Sequence, residues 1–348
     1  MINIRSDVLS EYVAQLFKAK GMSGADARQV SDVLVWANLR GVDSHGVMRA
    51  PLYLDWIEQG LINVAPNFSN RKETPAAYIL DADRAAGPVA MMRAAEGAVG
   101  KARQAGLGMV LVARTTHTAA LGFYARHVTA QGCVCIILSA SGRHMPYHGT
   151  KEAAVSTSPI CIGVPAGSRN ALVLDMAMST ISAGKLMLAQ KTGETLPPGS
   201  AIDPDGIVTT DPRRAVLPLP LGGPKGAGLA LMSELITGLL TDDPILTEAL
   251  SVAKARHRQN AMIIAIDVAR FTDLARFRAG VDGLAALICA LPRQPGFDAI
   301  LMPGDRGDSV AERRGQDGIS VQDAVWATLV QRGTELGVNT PDHTASSA

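Results

Sequence analysis

The stretch MVLVARTTHTAALGFYARHVTAQGCVCIIL (109–138) decides the fold. Its first four residues form an uninterrupted apolar run of strand length. A polar turn rich in Thr follows, and 119–131 carries apolar residues at helical spacing until Gly132 stops it. A second apolar run, CVCIIL (133–138), completes a strand-helix-strand unit. Runs without polar alternation belong to strands covered on both faces, so the unit predicts an α/β core, a sheet flanked by helices.

The alternation extends in both directions. Strands are predicted at 77–80, 160–164, 171–174, 261–266 and 299–302, with helices near 87–105, 179–190 and 226–240. Ahead of this core the pattern is helical. Ser6 opens a helix whose Val8, Leu9, Tyr12, Val13, Leu16 and Phe17 form one stripe ending at Gly21; Ser23 opens a second that stops before Gly41; Asp43 or Ser44 opens a third. The loop NVAPNFSN marks a boundary near residue 66. A last helix, 320–336, opened by Ser320 with Asp323 as capping partner, resembles the N-terminal helices and is expected to pack on them. The chain is therefore read as a helical unit of residues 1–66 joined by 310–340, an α/β core of 67–309 and a frayed tail, 341–348.

Composition narrows the function. Of 348 residues, 47% are hydrophobic and 19% charged, which excludes a disordered chain. With 33 Lys and Arg against 32 Asp and Glu, nothing global attracts nucleic acid or an anionic membrane, and a small-molecule partner is expected. The N-terminus is too polar for a signal peptide and no apolar run reaches spanning length, so a cytoplasmic location is expected. Cys133, Cys135, Cys161 and Cys289 lack metal-site spacing and sit in apolar runs, where buried free thiols are expected. Aromatics are only 4% against 34 glycines, which calls for an aliphatic interior with closely approaching backbone.

No strand is followed by GxGxxG with an acidic residue about 20 positions later, so the Rossmann fingerprint is missing. GGPKGAG (222–228) comes nearest, since backbone N–H groups and Lys225 can hold a phosphate there; a plain Gly-rich turn accounts for it equally well. DSHGVMR (43–49) is more informative. On one helical face, Arg49 can grip a carboxylate bidentately while His45 exchanges a proton with the neighbouring hydroxyl or carbonyl oxygen. A capped helix with a packed His is the bland alternative. A helix N-terminus and Arg49 both favour neutral imidazole, the form needed in a base. His117 follows a predicted strand end, where open α/β sheets place ligands. His144 and His148 have the spacing of metal ligands, but Pro146 lies between them and no Cys or carboxylate completes a set, so no metal is assigned. His127 and His257 read as helix-surface residues and His343 as part of the tail. Ser44 has no nucleophile-elbow context, which argues against a serine hydrolase.

Taken in order, RGVDSHGVMR (40–49), TTHTAALGFYA (115–125), STSPICIGVP (156–165), LVLDMAMSTISAGK (172–185), LPLGGPKGAGLALMSELITGLL (219–240) and LMPGD (301–305) resemble the type 2 malate/L-lactate dehydrogenase family over nearly the whole chain. The resemblance implies an oxidoreductase that uses NAD or NADP on L-2-hydroxy and 2-keto acids of malate, lactate, sulfolactate or ureidoglycolate type. It also implies a non-Rossmann NAD(P)-binding core with a mixed sheet, and a homodimer with its site between domains. By position it makes His45 the proton donor and acceptor, Ser44 its hydrogen-bonding neighbour, Arg49 the carboxylate ligand, and Thr157 and Lys185 substrate contacts. His117 matches a residue that is the base in some members and part of the cofactor pocket in others. Asp175, Met176, Ala177, Lys225, Gly226, Pro303, Gly304 and Asp305 match cofactor-contacting positions. Ser156–Ser158 depart from the frequent Gly-Thr-Asn, Asp305 replaces a longer Glu, and His148 stands where Gly is common. Lys185, in place of an Asp, fits the malate/lactate branch. A reductase of cyclic imino or diketo acids on the same scaffold, and a catalytically silent binding homologue, are the alternatives.

Overall fold

A seven-stranded mixed sheet forms the centre of the computed structural model, which describes residues 1–246, 258–342 and 344–345. The strands are β1 (Ser69–Arg71), β2 (Ala77–Asp81), β3 (Leu107–Thr115), β4 (Cys133–Ser141), β5 (Ile160–Val164), β6 (Leu172–Met176) and β7 (Gln259–Asp267). Their spatial order is β1-β2-β3-β7-β4-β5-β6. Only β2 and β3 pair in parallel; the other neighbours are antiparallel. The two strands of the deciding stretch are therefore not adjacent, because β7 returns from far along the chain to lie between them.

The parallel pair needs a crossover, supplied by α4 (Gly87–Ala105). Ala90, Ala94, Ala98 and Ala102 recur every fourth residue and are all fully buried, a stripe of methyls that lets the helix sit close to the sheet. Gly108 shows how close: a Cβ there would lie 1.9 Å from the Ala98 carbonyl oxygen. Here the small-residue interior that the composition calls for is realised, with alanine methyls on the helix facing a glycine on the strand.

The N-terminal helices are α1 (Ser6–Ala19), α2 (Gly24–Leu39) and α3 (Ala50–Glu58). Ser23 caps α2 by accepting the Asp26 amide, as its sequence position predicts. Ser6 makes no such cap; Arg5 occupies the N-cap position. The last helix, α10 (Asp323–Glu335), packs back on this group, with the Tyr12 hydroxyl donating to the Leu329 carbonyl at 3.0 Å and the Tyr12 and Trp326 rings 5.7 Å apart. Ser320 does not open it. Ser320 lies in the strand Ile319–Val321, which pairs with Ile2–Ile4, and Gln322 takes the cap position. Thr344–Ala345 pairs with the other edge of Ile2–Ile4, so this part of the tail is a strand and not frayed.

The remaining helices are α5 (Leu121–Ala130), α6 (Ala183–Thr192), α7 (Pro224–Glu234), α8 (Leu274–Cys289) and α9 (Asp305–Asp317). The predicted helix 226–240 divides into α7 and a π-helical turn, Leu235–Leu239. The predicted strand 299–302 does not form. The Met302 amide donates to the Asp305 carboxylate at 2.8 Å, and the segment runs as a loop into α9. Leu284, Leu287 and Leu291 are exposed on α8 and just beyond it, and Cys289 is exposed with them, unlike the three buried thiols of the sheet. Among the described residues no helix is long and apolar enough to cross a membrane. His257 and His343 lie outside the described residues.

Candidate active site

Three segments meet over one end of the sheet. Gln259, the first residue of β7, pairs with Thr115 of β3 on one side and Ser141 of β4 on the other. The loop after β3 carries His117, and the loop after β4 carries Arg143 and His144. The chain between α2 and α3 supplies Ser44, His45 and Arg49. Together with Thr157, Asp175, Met176, Ala177, Lys185 and Gly304 they line a cleft of about 1010 Å³.

The His45 segment is not the single helix its spacing predicts. It forms two 3-10 turns, Asp43–His45 and Val47–Arg49, separated by Gly46 in extended backbone. The cause is Asn38, a buried amide inside the apolar face of α2. Its Oδ1 accepts the Val47 amide at 2.7 Å and its Nδ2 donates to Asp43 at 2.6 Å. A Cβ on Gly46 would lie 2.2 Å from Asn38 Oδ1. Arg314 of α9 grips the Asp43 carboxylate from the other side, at 2.7 and 3.1 Å. The turn brings Arg49 Nε to the Ser44 carbonyl at 2.7 Å, which fixes the guanidinium and leaves its two terminal nitrogens for a ligand. His45 Nδ1 is 3.1 Å from Ser44 Oγ; among the described residues its Nε2 has no protein partner. Gly184, in the first turn of α6, presses against this segment, since a Cβ there would sit 2.6 Å from Ser44 Cβ.

His117 is held from every side. Arg114 and Ala119 adopt left-handed backbone, with φ of 56° each, a conformation that costs a non-glycine residue about 1–2 kcal/mol and persists where the surroundings impose it. Thr116 Oγ1 donates to the Ala85 carbonyl and accepts the Gly87 amide. Gln259 Oε1 accepts from both the amide and the hydroxyl of Thr118. Tyr53 of α3 places its hydroxyl 2.6 Å from His117 Nδ1 and 3.2 Å from the His117 carbonyl. The His45 and His117 rings then stack at 5.5 Å with 25° between their planes. Burial, aided by Arg49, lowers the His45 pKa to about 4. Burial again, with the positive fields of His45, Arg49 and His144, holds His117 well below its ordinary value. Both imidazoles are neutral at physiological pH, as a proton acceptor requires.

Gly87 links this loop to the sheet-covering helix. A Cβ there would lie 2.1 Å from the His117 carbonyl oxygen. Gly87→Ala is expected to destabilise the fold by about 1–3 kcal/mol through overpacking and to displace His117. Gly100→Ala, in the same helix with nothing near its Cβ position, is expected to add about 0.5–1 kcal/mol through helix propensity. Thermal unfolding of the two variants against the unaltered chain tests the contrast.

The other wall suits a long, anionic ligand. The N-terminus of α5 borders the cleft at Ala120, Leu121 and Gly122, and a helix N-terminus favours negative charge. Gly122 donates its amide to Asp175 Oδ2 at 2.7 Å, and a Cβ on it would fill the gap to Trp36 and Asp175. Desolvation holds the Asp175 carboxyl above the usual carboxylate range, against the lowering effects of the Gly122 amide and Arg40. Lys185 borders the same cleft beside Ser182, the cap of α6.

Four expected contacts stand apart. Lys225 and Gly226 do not border the cleft of the single chain. The Gly226 amide donates to the Leu221 carbonyl at 2.9 Å, and a Cβ would lie 2.5 Å from that oxygen, so this glycine makes the tight turn that opens α7. The Pro303 carbonyl accepts the Val173 amide, and Asp305 is tied to Arg169 at 2.5 Å and to the Met302 amide. Gly304 between them does reach the cleft, at φ 102°. His144 lines the cleft, while His148 lies beside Gly223. Among the described residues no three His, Cys, Asp or Glu side chains are placed to hold a metal ion.

The comparisons with known proteins agree with this architecture along the full chain. The malate dehydrogenase of Pyrococcus abyssi is 30% identical over 347 residues, covering 97% of this chain and 96% of that one. The L-sulfolactate dehydrogenase of Methanocaldococcus jannaschii is 32% identical over 335 residues, covering 95% and 96%. The crystal structure of malate dehydrogenase from Entamoeba histolytica superposes with a TM-score of 0.92 at 25% identity, covering 98% of this chain and 99% of that one. The sequence profile described as malate/L-lactate dehydrogenase matches residues 4–330, a span that takes in the His45 turn, the His117 loop and the whole mixed sheet. By sequence and by fold, the chain belongs to the malate/L-lactate dehydrogenase family.

Proposed function

We propose that the protein interconverts an L-2-hydroxy acid and its 2-keto acid by hydride transfer with NAD or NADP. The observation that carries the reading is the stacked, neutral His45–His117 pair beside an arginine whose terminal nitrogens are free. When bound, the dinucleotide supplies the two-electron redox capacity. The cleft has the volume, the helix N-terminus and the side-chain-free positions at Gly122 and Gly304 to take it, with Asp175, Met176 and Ala177 along its wall.

The chain's own part is positioning and proton traffic. Arg49 holds the C1 carboxylate by two parallel N–H bonds, which brings the C2 hydroxyl to the histidines. His45 Nε2 takes the hydroxyl proton as C2 gives up its hydride, and returns a proton in the reverse direction. The Tyr53 hydroxyl, within hydrogen-bond distance of both His117 Nδ1 and the His117 carbonyl, fixes the ring so that Nε2 is turned to the same substrate oxygen. Ser44, in contact with His45 Nδ1, fixes the ring.

A second copy of the chain fits the surface. Leu229, Met232, Leu239 and Leu240 are each more than half exposed along α7 and the π-helical turn that follows it, and grouped exposed apolar side chains mark contact surfaces. A homodimer that covers it is part of the reading. The buried thiols Cys133, Cys135 and Cys161 are consistent with the cytoplasm as its compartment.

Initial rates with malate, lactate, sulfolactate and ureidoglycolate, each with NAD+ and NADP+, test the proposal. Turnover of at least one acid is expected. Turnover confined to a preformed cyclic imine with reduced cofactor would reassign the site to imine reduction. Cofactor binding with no turnover of any of these would mark a silent homologue.

A further inference from the structure

Six cationic side chains border the cleft: Arg40, Arg49, Arg143, Lys185, Arg258 and Arg306. Two are neutralised by acids, Arg40 by Asp308 at 2.5 Å and Arg258 by Asp243 at 3.2 Å. Arg49 has its proposed task at C1. Lys185 stands on the helix that presses on Ser44, and Arg306 follows the Gly304 turn at the far edge. Arg143 remains. It makes no hydrogen bond or ion pair among the described residues, yet its backbone is firmly placed.

The turn that presents it is braced at each step. The Ser141 and Ser156 hydroxyls meet at 2.9 Å, the His144 amide donates to the Val155 carbonyl at 2.8 Å, and His144 Nδ1 lies 2.6 Å from the Gly142 carbonyl. These bonds fasten the turn to the segment that carries Thr157. The strand register fixes its neighbourhood as well. Ser141 is level with Gln259, and Gln259 with Thr115, so Arg143 emerges on the same sheet end as His117. The strand that leads to His117 and the strand that carries Asp175 and Met176 lie on opposite sides of β4, each two strands away, about 10 Å at ordinary strand spacing. Arg143 is thus a cation bordering the cleft on the sheet end that carries His117, on a turn fastened beside Thr157.

We propose that Arg143 is a specificity-determining residue that receives a second acidic group, so that the preferred substrate is a dianionic 2-hydroxy or 2-keto acid with a carboxylate or sulfonate at the end of its side chain. The inference rests on the reading of the site as a 2-hydroxy-acid dehydrogenase. An unpaired guanidinium offers a neutral or apolar side chain no comparable gain, whereas a charged hydrogen bond to an acid group contributes substantially to binding.

The test has two arms. In the first, kcat/KM for L-malate and for L-lactate is measured in the unaltered enzyme, Arg143→Gln and Arg143→Lys. The unaltered enzyme is expected to prefer malate; the malate-to-lactate ratio falls about a hundredfold in Arg143→Gln, from loss of one charged hydrogen bond, and is partly restored in Arg143→Lys. In the second, L-malate and L-lactate are titrated calorimetrically into the enzyme loaded with reduced cofactor, which reads the same preference without turnover. A ratio unchanged by Arg143→Gln in both arms overturns the proposal, as does a parallel weakening of reduced-cofactor binding, which would assign Arg143 to a cofactor phosphate. If neither acid turns over but malate binding still depends on Arg143, the dehydrogenase reading fails while the dianion site stands.

Discussion

His45→Gln is expected to lower kcat for hydroxy-acid oxidation about a thousandfold, the middle of the range that a positioned general base contributes, with reduced-cofactor binding changed less than about twofold. The variant keeps the size of the ring and the Ser44 neighbour but has no basic nitrogen. Fluorescence titration of the cofactor and thermal unfolding separate loss of chemistry from loss of fold. The pH profile adds a second readout. In the free enzyme His45 releases its proton at about 4, so kcat/KM for oxidation stays level as pH falls from 8 to about 5 and declines only near 4. Reduction needs the protonated ring, so its kcat/KM falls tenfold per unit as pH rises above about 4. Both dependences on this group vanish in His45→Gln. Full oxidation activity in the variant would pass the proton-transfer role to His117, whose ring stacks on His45.

Arg49→Ala is expected to reduce kcat/KM about a thousandfold, mostly through KM. Two charged hydrogen bonds to the carboxylate, at roughly 1.5–3 kcal/mol each, are made equally in ground and transition state, which is why KM carries the loss. Arg49→Lys restores charge but not the bidentate geometry that the Ser44 carbonyl pre-sets through Nε, and recovers only about a tenth of the effect on a logarithmic scale. Because Arg49 is among the causes that lower both histidines, its removal moves the acidic limb of the oxidation profile upward from about 4. An Arg49→Ala enzyme with unchanged KM for every acid tested would show that the carboxylate is held elsewhere.

The residues of this site divide by how they came to light. His45, Arg49 and His117 are legible because their chemistry is stated by residue type and by place, a His and an Arg close together or a His just beyond a strand end, whereas Ser44 enters only through the family resemblance. Even so, the reason offered for the His45–Arg49 pair, one helical face, is not the one the fold uses. The pair is brought together by Asn38 folding the chain into two tight turns. Tyr53, Asn38, Gly87 and Gly184 escape a reading of the sequence because their roles exist only across distant elements. Asn38 alone leaves a trace, an amide on the apolar face of α2. The strand expected at 299–302 shows the converse: an apolar run is necessary for a strand but does not supply a neighbour to pair with. In GGPKGAG, residue type points to an anion cradle, whereas the Gly226 amide is already committed to Leu221.

The level alignment of Thr115, Gln259 and Ser141 has a consequence for how such a protein can change its substrate over generations. The histidine loop and the Arg143 turn share one sheet end but are fastened by different partners: Ala85, Gly87, Tyr53 and Gln259 for the first, Val155 and Ser156 for the second. The turn at 142–144 can therefore be exchanged, and with it the charge offered to the substrate's far end, while the proton-transfer pair keeps its geometry. On the proposal for Arg143, the chemistry and the selectivity are then carried by separate pieces of the chain, joined only through the field of His144 at His117.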